Sequence, residues 1–157
     1  FRLNSVDRAF QTRCGKYQPG SLKTQDVHAS GLPVCPLTLA EWVNVKKALS
    51  DAAAQVNFLF ISVDGARDTP EVLSQYLSRF DSSFIGMTGD PATLAQIGPT
   101  YGLDYTLHTE EGENYSVDHT TRVYLLNPQS RIVYEFSYGT DRDAIVETIE
   151  AQIAGGA

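Results

Sequence analysis

Apolar positions along this chain change spacing several times, and each change marks an element. From Pro36 onward, Leu39, Trp42, Val43, Val45, Leu49 and Ala52 recur at helical spacing, with Pro36 suited to the first turn. The spacing predicts a helix from Pro36 to about Ala53. VNFLFISVD at 56–64 is instead a continuous apolar run, the signature of a strand buried on both faces of a parallel sheet. Asp68-Thr69-Pro70-Glu71 then reads as a helix start, with Thr69 as N-cap and Val72, Leu73, Tyr76, Leu77 and Phe80 turned inward. Phe84 to Met87 predicts a short strand. Asp90-Pro91 opens another helix through Leu94, Ile97 and Tyr101.

The C-terminal third continues the alternation. Residues 102–116, with EEGEN at their centre, read as a polar loop. Thr120 to Leu126 and Arg131 to Ser137 are β-rich runs around Asn127-Pro128-Gln129-Ser130, which predicts a hairpin. Thr140 is the expected cap of a last helix carrying Ile145, Val146, Ile149 and Ile153, ended by Gly155-Gly156. The N-terminal third is less regular. Phe1, Leu3, Val6 and Phe10 fit a short hairpin up to Thr12. Residues 13–34 are punctuated by Gly15, Pro19, Gly20, Gly31 and Pro33 and read as loop, with only Leu22 and Val27 able to anchor a strand. The order of elements predicts one α/β domain over 1–157: a mixed central sheet flanked by helices, with a C-terminal antiparallel hairpin. A thioredoxin-like fold is the natural candidate.

Composition narrows the classes of function. The 157 residues suit one domain, and 42% hydrophobic with 20% charged residues is ordinary for a globular chain. A net charge of −7 without a Lys/Arg cluster argues against a nucleic-acid surface. No apolar run approaches the ~20 residues that cross a bilayer. Phe1 is an unusual first residue, so the chain is expected to be a processed or truncated product whose leader or anchor, if it had one, is missing. No CxxC, HExxH, GxSxG or Gly-rich phosphate loop is present, which leaves hydrolase and nucleotide-binding readings without support.

Few side chains remain to carry chemistry. Cys35 stands directly before Pro36 and the first long helix, where unpaired N–H groups stabilise a thiolate, the form that binds soft metals and attacks disulfides. The plainer alternative is a buried cysteine packing as a small hydrophobe. His119 lies just before a strand and beside Asp118, a carboxylate able to orient its ring as a copper or zinc ligand. A solitary histidine there is more often a surface residue. Cys14, near Arg13 and Lys16, is a loop cysteine first, and otherwise a disulfide partner for Cys35 or a metal ligand. His28 could reach the same site if its loop folds back, and His108 has no motif around it. The acids Glu110, Glu111 and Glu113 read as a solvated charge cluster.

Several segments together resemble the Sco/SenC family. They are VCPLTLAEW at 34–42, FISVDGARDTPEVLSQY at 60–76, FIGMTGDPATL at 84–94, YSVDHTTRVYLLNPQSRIV at 115–133, and Tyr-Gly-Thr at 138–140. The resemblance runs from about Pro33 to the C-terminus, in the family's order. It implies a thioredoxin fold, usually tethered by one N-terminal membrane segment in the bacterial periplasm or the mitochondrial intermembrane space. The short loop before the Asp-His motif points to the bacterial setting. It implies copper held by a Cys-x-x-x-Cys pair and the His of an Asp-His motif, for assembly of the dinuclear copper centre of cytochrome c oxidase. The implied partners are that enzyme's copper-centre subunit or a respiratory complex, together with other copper chaperones or thiol reductants.

Carried over by position, Cys35 matches the second thiolate and His119 the imidazole, so the two are expected to face each other across a small gap. Asp64 matches an acidic support after the second strand. The departure is at position 31, where the first cysteine should fall and Gly31 stands. The apolar strand expected before it is replaced by the polar stretch 17–30. Two accounts stand side by side: a divergence that gave up one ligand, or a fault in this part of the sequence. Besides copper delivery, the residues admit a thiol-disulfide oxidoreductase using Cys14 and Cys35, and a metal-free Sco-like subunit that docks on a respiratory complex.

Overall fold

The computed structural model describes residues 8–12, 34–111, 115, 117–119 and 122–155, and for 8–12, 34, 35 and 111 it describes the backbone. The elements are β1 (Arg8–Thr12), α1 (Val34–Leu49), β2 (Val56–Ile61), α2 (Pro70–Leu77), β3 (Ile85–Met87), α3 (Pro91–Ile97), β4 (Tyr105–Leu107), β5 (Val117–His119), β6 (Val123–Leu126), β7 (Ile132–Phe136) and α4 (Arg142–Gly155). Short 3-10 turns follow α1, α3 and β4. Five strands form one mixed sheet in the order β3-β2-β1-β6-β7, and β4 pairs with β5 in a separate two-stranded ribbon.

The sheet is parallel on one side of β1 and antiparallel on the other. β1 runs parallel to β2, with Thr12 beside Phe60, and β2 runs parallel to β3. β6 runs antiparallel to β1, with Thr12 beside Val123, and β7 returns antiparallel to β6. A mixed sheet of this kind needs helical crossovers only where strands are parallel, which is where α1 and α2 lie.

Strand alternation sends side chains to two cores. Val56, Phe58, Phe60, Val123, Leu125 and Phe136 pack with Leu39, Trp42, Val45 and Leu49 of α1, Leu73, Tyr76 and Leu77 of α2, and Ile145 and Ile149 of α4. Leu59, Tyr124 and Leu126 form the opposite core with Met87 and Tyr101. The apolar run at 56–61 is therefore needed on both faces. Gly86 lets α2 lie close on β3, since a Cβ there would come within 2.7 Å of the Leu73 Cβ.

Several expectations are corrected. Residues 8–12 are not one arm of an N-terminal hairpin: they form the central strand, between β2 and β6. Arg8 and Gln11 interrupt the apolar pattern there, so periodicity gave no signal of a central position. The centre of the sheet is thus filled, although residues 17–30 diverge; those residues, with Cys14, His28 and Gly31, lie outside the described set. The stretch 102–116 is not all loop, because it holds β4, and β5 follows at Val117. Three-residue strands carry too little pattern to be read. Pro36 is the third residue of α1 rather than the first. Asp141, not Thr140, caps α4: its Oδ1 accepts from the backbone N–H groups of Asp143 (2.9 Å) and Ala144 (3.3 Å), while the Thr140 hydroxyl donates to the Ser137 carbonyl. Thr69 and Asp90 do cap α2 and α3.

Leu125 is 0% exposed at the middle of the larger core, whereas Tyr138 is 59% exposed. Leu125→Ala should lower the unfolding free energy by about 2–5 kcal/mol. Tyr138→Ala should change it by less than about 0.5 kcal/mol. Urea unfolding followed by Trp42 fluorescence measures both, and similar midpoints for the two variants would contradict this core.

Candidate functional site at the C-terminal edge of the parallel strands

Topology gathers the candidate residues at one edge of the sheet. In a β-α-β crossover the helix runs back against its strands, so the start of α1 lies at the edge where β1 and β2 end. Cys35 is the second residue of α1. Asp64 follows the end of β2 by three residues. Val123, beside Thr12 at the end of β1, follows His119 by four. Backbone connectivity therefore carries Cys35 and Asp64 to this edge, and β5 with His119 ends four residues before the strand that starts there. The Cys35 side chain lies outside the described set. The first turn of α1 contains no acidic side chain to offset the partial positive charge of its amides.

The turn after β2 is built around buried acids. Asp64 is 4% exposed and Asp68 3%. The Asp64 carbonyl accepts from the backbone N–H groups of Arg67 (3.2 Å) and Asp68 (2.9 Å). Ser62 Oγ accepts from the Asp64 N–H at 3.1 Å and donates to Asp68 Oδ2. Burial pushes the Asp68 carboxyl above the ordinary carboxylate range, and the Ser62 hydrogen bond partly offsets that. Gly65 fits because a Cβ there would lie 2.5 Å from the Gly89 carbonyl oxygen. Asp64 Oδ2 accepts from Arg67 Nε, and Asp64 Oδ1 accepts from the Tyr115 hydroxyl at 2.8 Å. Arg67 Nη1 donates to the Tyr115 carbonyl at 2.8 Å, and its guanidinium carbon lies 3.6 Å from the centroid of the Tyr115 ring. Burial and then the Asp64 hydrogen bond raise the Tyr115 phenol, so its hydroxyl stays a donor.

β5 displays its residues by alternation. Val117 is buried, Asp118 points out, and His119 is half-buried on the Val117 face. Asp118 Oδ2 lies 2.9 Å from His108 Nε2, and Glu110 Oε1 lies 3.3 Å from His108 Nδ1. His108 is thus part of a cross-ribbon acid–imidazole cluster. Sequence alone gave no sign of it, because β4 was unread. Arg67 and Tyr115 stand inside the segments that resemble the family, but they are 48 positions apart and no spacing signals their contact. Among the described residues no group of three or more His, Cys, Asp and Glu side chains is placed to hold a metal ion.

Residues 30–154 match the SCO1/SenC family model. The chain belongs to the SCO1/SenC family. Mitochondrial protein SCO1 homolog 2 of Arabidopsis thaliana is 33% identical over 96 residues, 61% of this chain and 35% of that protein. The SCO2-like protein RP587 of Rickettsia prowazekii is 28% identical over 116 residues, 73% of this chain and 57% of that one. The chain thus spans between about a third and three-fifths of the length of these curated relatives. ScoI of Bradyrhizobium japonicum, solved with copper bound, superposes with a TM-score of 0.74 at 27% identity, covering 94% of this chain and 86% of that one. The thioredoxin-like fold expected from the order of elements is the fold of these Sco structures.

Hydrogen bonds to Asp118 and then Glu110 raise the His108 imidazole above its ordinary value of 6.5. The folded protein therefore holds this proton more tightly than the unfolded chain. The cluster contributes stability below pH 6.5, and that contribution is lost as pH rises through the higher folded value. An NMR titration of the His108 ring should show a midpoint above 6.5, moving down in Asp118→Asn. An unmoved midpoint would remove Asp118 as the cause.

Proposed function

We propose that this domain binds copper and delivers it during assembly of the dinuclear copper centre of cytochrome c oxidase, in an extracytoplasmic compartment such as the periplasm. The observation that carries the reading is SCO1/SenC membership together with likeness to the copper-bound ScoI of Bradyrhizobium japonicum. Copper is the cargo. Its donors in this chain are Cys35 as thiolate and His119 as imidazole, with Asp64 as a support; Asp118, expected beside the His119 ring, is turned instead to the other face of β5, where it meets His108. The oxidase subunit that receives the metal is the partner.

Donor chemistry supports the assignment. A thiolate and an imidazole are ligands that suit copper, and a thiolate at a helix N-terminus is favoured at neutral pH. A release function also suits a small donor set. With Gly31 at the place of the first cysteine, Cys35 and His119 form a two-donor site, weaker and faster to exchange than one with two thiolates and an imidazole. Cys14 and His28 are the residues able to add a third donor. The buried turn at Asp64 supplies a rigid edge, and Asp118 is engaged by His108 on the outer face of β5.

Titration of the full chain with Cu(I) against a competing chelator tests the reading. The wild-type chain should take up one copper per molecule with modest affinity. Cys35→Ser should abolish uptake, and His119→Ala should weaken it by about tenfold or more. Uptake that both substitutions leave intact would overturn the assignment, and tight uptake dependent on Cys14 or His28 would assign a third ligand.

A further inference from the structure

The strand that carries His119 is short and belongs to a ribbon apart from the main sheet. β4 and β5 are three residues each and form a two-stranded ribbon outside the five-stranded sheet. Such a ribbon is marginal in isolation, so its position depends on what fastens it to the rest of the domain. Buried Val117 is one fastening. Another among the described residues is Tyr115, gripped at three points by the turn after β2. Its carbonyl accepts from Arg67 Nη1, its hydroxyl donates to Asp64 Oδ1, both at 2.8 Å, and its ring lies against the Arg67 guanidinium.

We propose that Arg67 and Tyr115 are positioning residues of the copper site, a clamp that fixes where the His119 strand stands relative to the edge of the main sheet. The inference rests on the copper-carrier reading. Three features favour a built clamp over an incidental surface contact. Asp64, which completes it, is almost fully buried. Arg67 uses two different nitrogens, Nε toward Asp64 and Nη1 toward the Tyr115 carbonyl, so it joins two segments distant in sequence. The stacked ring and the forked donors need a planar guanidinium, a geometry that an ammonium group cannot reproduce. His119 follows Tyr115 by four residues, with its register against Tyr105 set by the ribbon. A shift at Tyr115 is therefore passed to the imidazole.

Cu(I) competition with a bicinchoninate chelator, on the full chain, tests the clamp in Arg67→Lys, Tyr115→Leu and Tyr115→Phe, each with and without His119→Ala. Arg67→Lys and Tyr115→Leu should weaken copper binding by about tenfold or more. Tyr115→Phe, which keeps the stack and the carbonyl bond, should lose less. In the His119→Ala background these losses should disappear, a result that general destabilisation would not give. Wild-type affinity in both Arg67→Lys and Tyr115→Leu would overturn the proposal, as would equal losses with and without His119. If Tyr115→Leu does not fold, Arg67→Lys decides the comparison alone. If the wild-type chain takes no copper from the chelator, the carrier reading falls by itself. The clamp is then decided in metal-free protein, where Arg67→Lys should move the His119 ring resonances while leaving the β7 amides in place. An unmoved ring would overturn it.

Discussion

Asp64 places a carboxylate, 4% exposed, three residues beyond the end of a buried strand. A charge in such a position costs several kcal/mol unless it is met by hydrogen bonds and an opposite charge. Arg67 and Tyr115 meet it, and the cost of leaving it unmatched is what holds the turn and the Tyr115 segment together. The same three residues connect the apolar frame to the strand of His119. Without that connection the frame would still fold, because its two cores are built from β2, β6 and the helices. The site edge would lose its reference point.

Much of the frame was legible in the sequence because its elements are long or well punctuated. The helix after Pro36, the two-faced strand at 56–61 and the caps at Thr69 and Asp90 declared themselves by spacing and by residue chemistry. What escaped had a physical reason. β1 carries Arg8 and Gln11, so its central position comes from pairing with β2 and β6, a tertiary fact that periodicity does not encode. β4 and β5 are too short to generate a pattern. The site was legible as residues and not as contacts. Cys35, Asp64 and His119 could be named, but the grip of Arg67 on Tyr115 spans 48 positions, and the pairing of His108 with Asp118 needed the ribbon.

Division of labour between the two sides of the molecule follows. The helices and the larger core provide stiffness, while the edge where parallel strands end collects the polar groups of the Asp64 turn, as it does in other open α/β sheets. His119 and Asp118 are neighbours with opposite assignments, since alternation turns one inward beside Val117 and the other out toward His108. If the proposed copper site has only Cys35 and His119 as donors, with Gly31 in place of a cysteine, the placement of each ligand counts for more.

X-ray absorption at the copper edge, on the full chain loaded with one equivalent of Cu(I), examines the convergence of Cys35 and His119 most directly. The account predicts both a sulfur scatterer and the multiple-scattering pattern of an imidazole around the same copper. A spectrum containing sulfur with no imidazole, or neither, would contradict it.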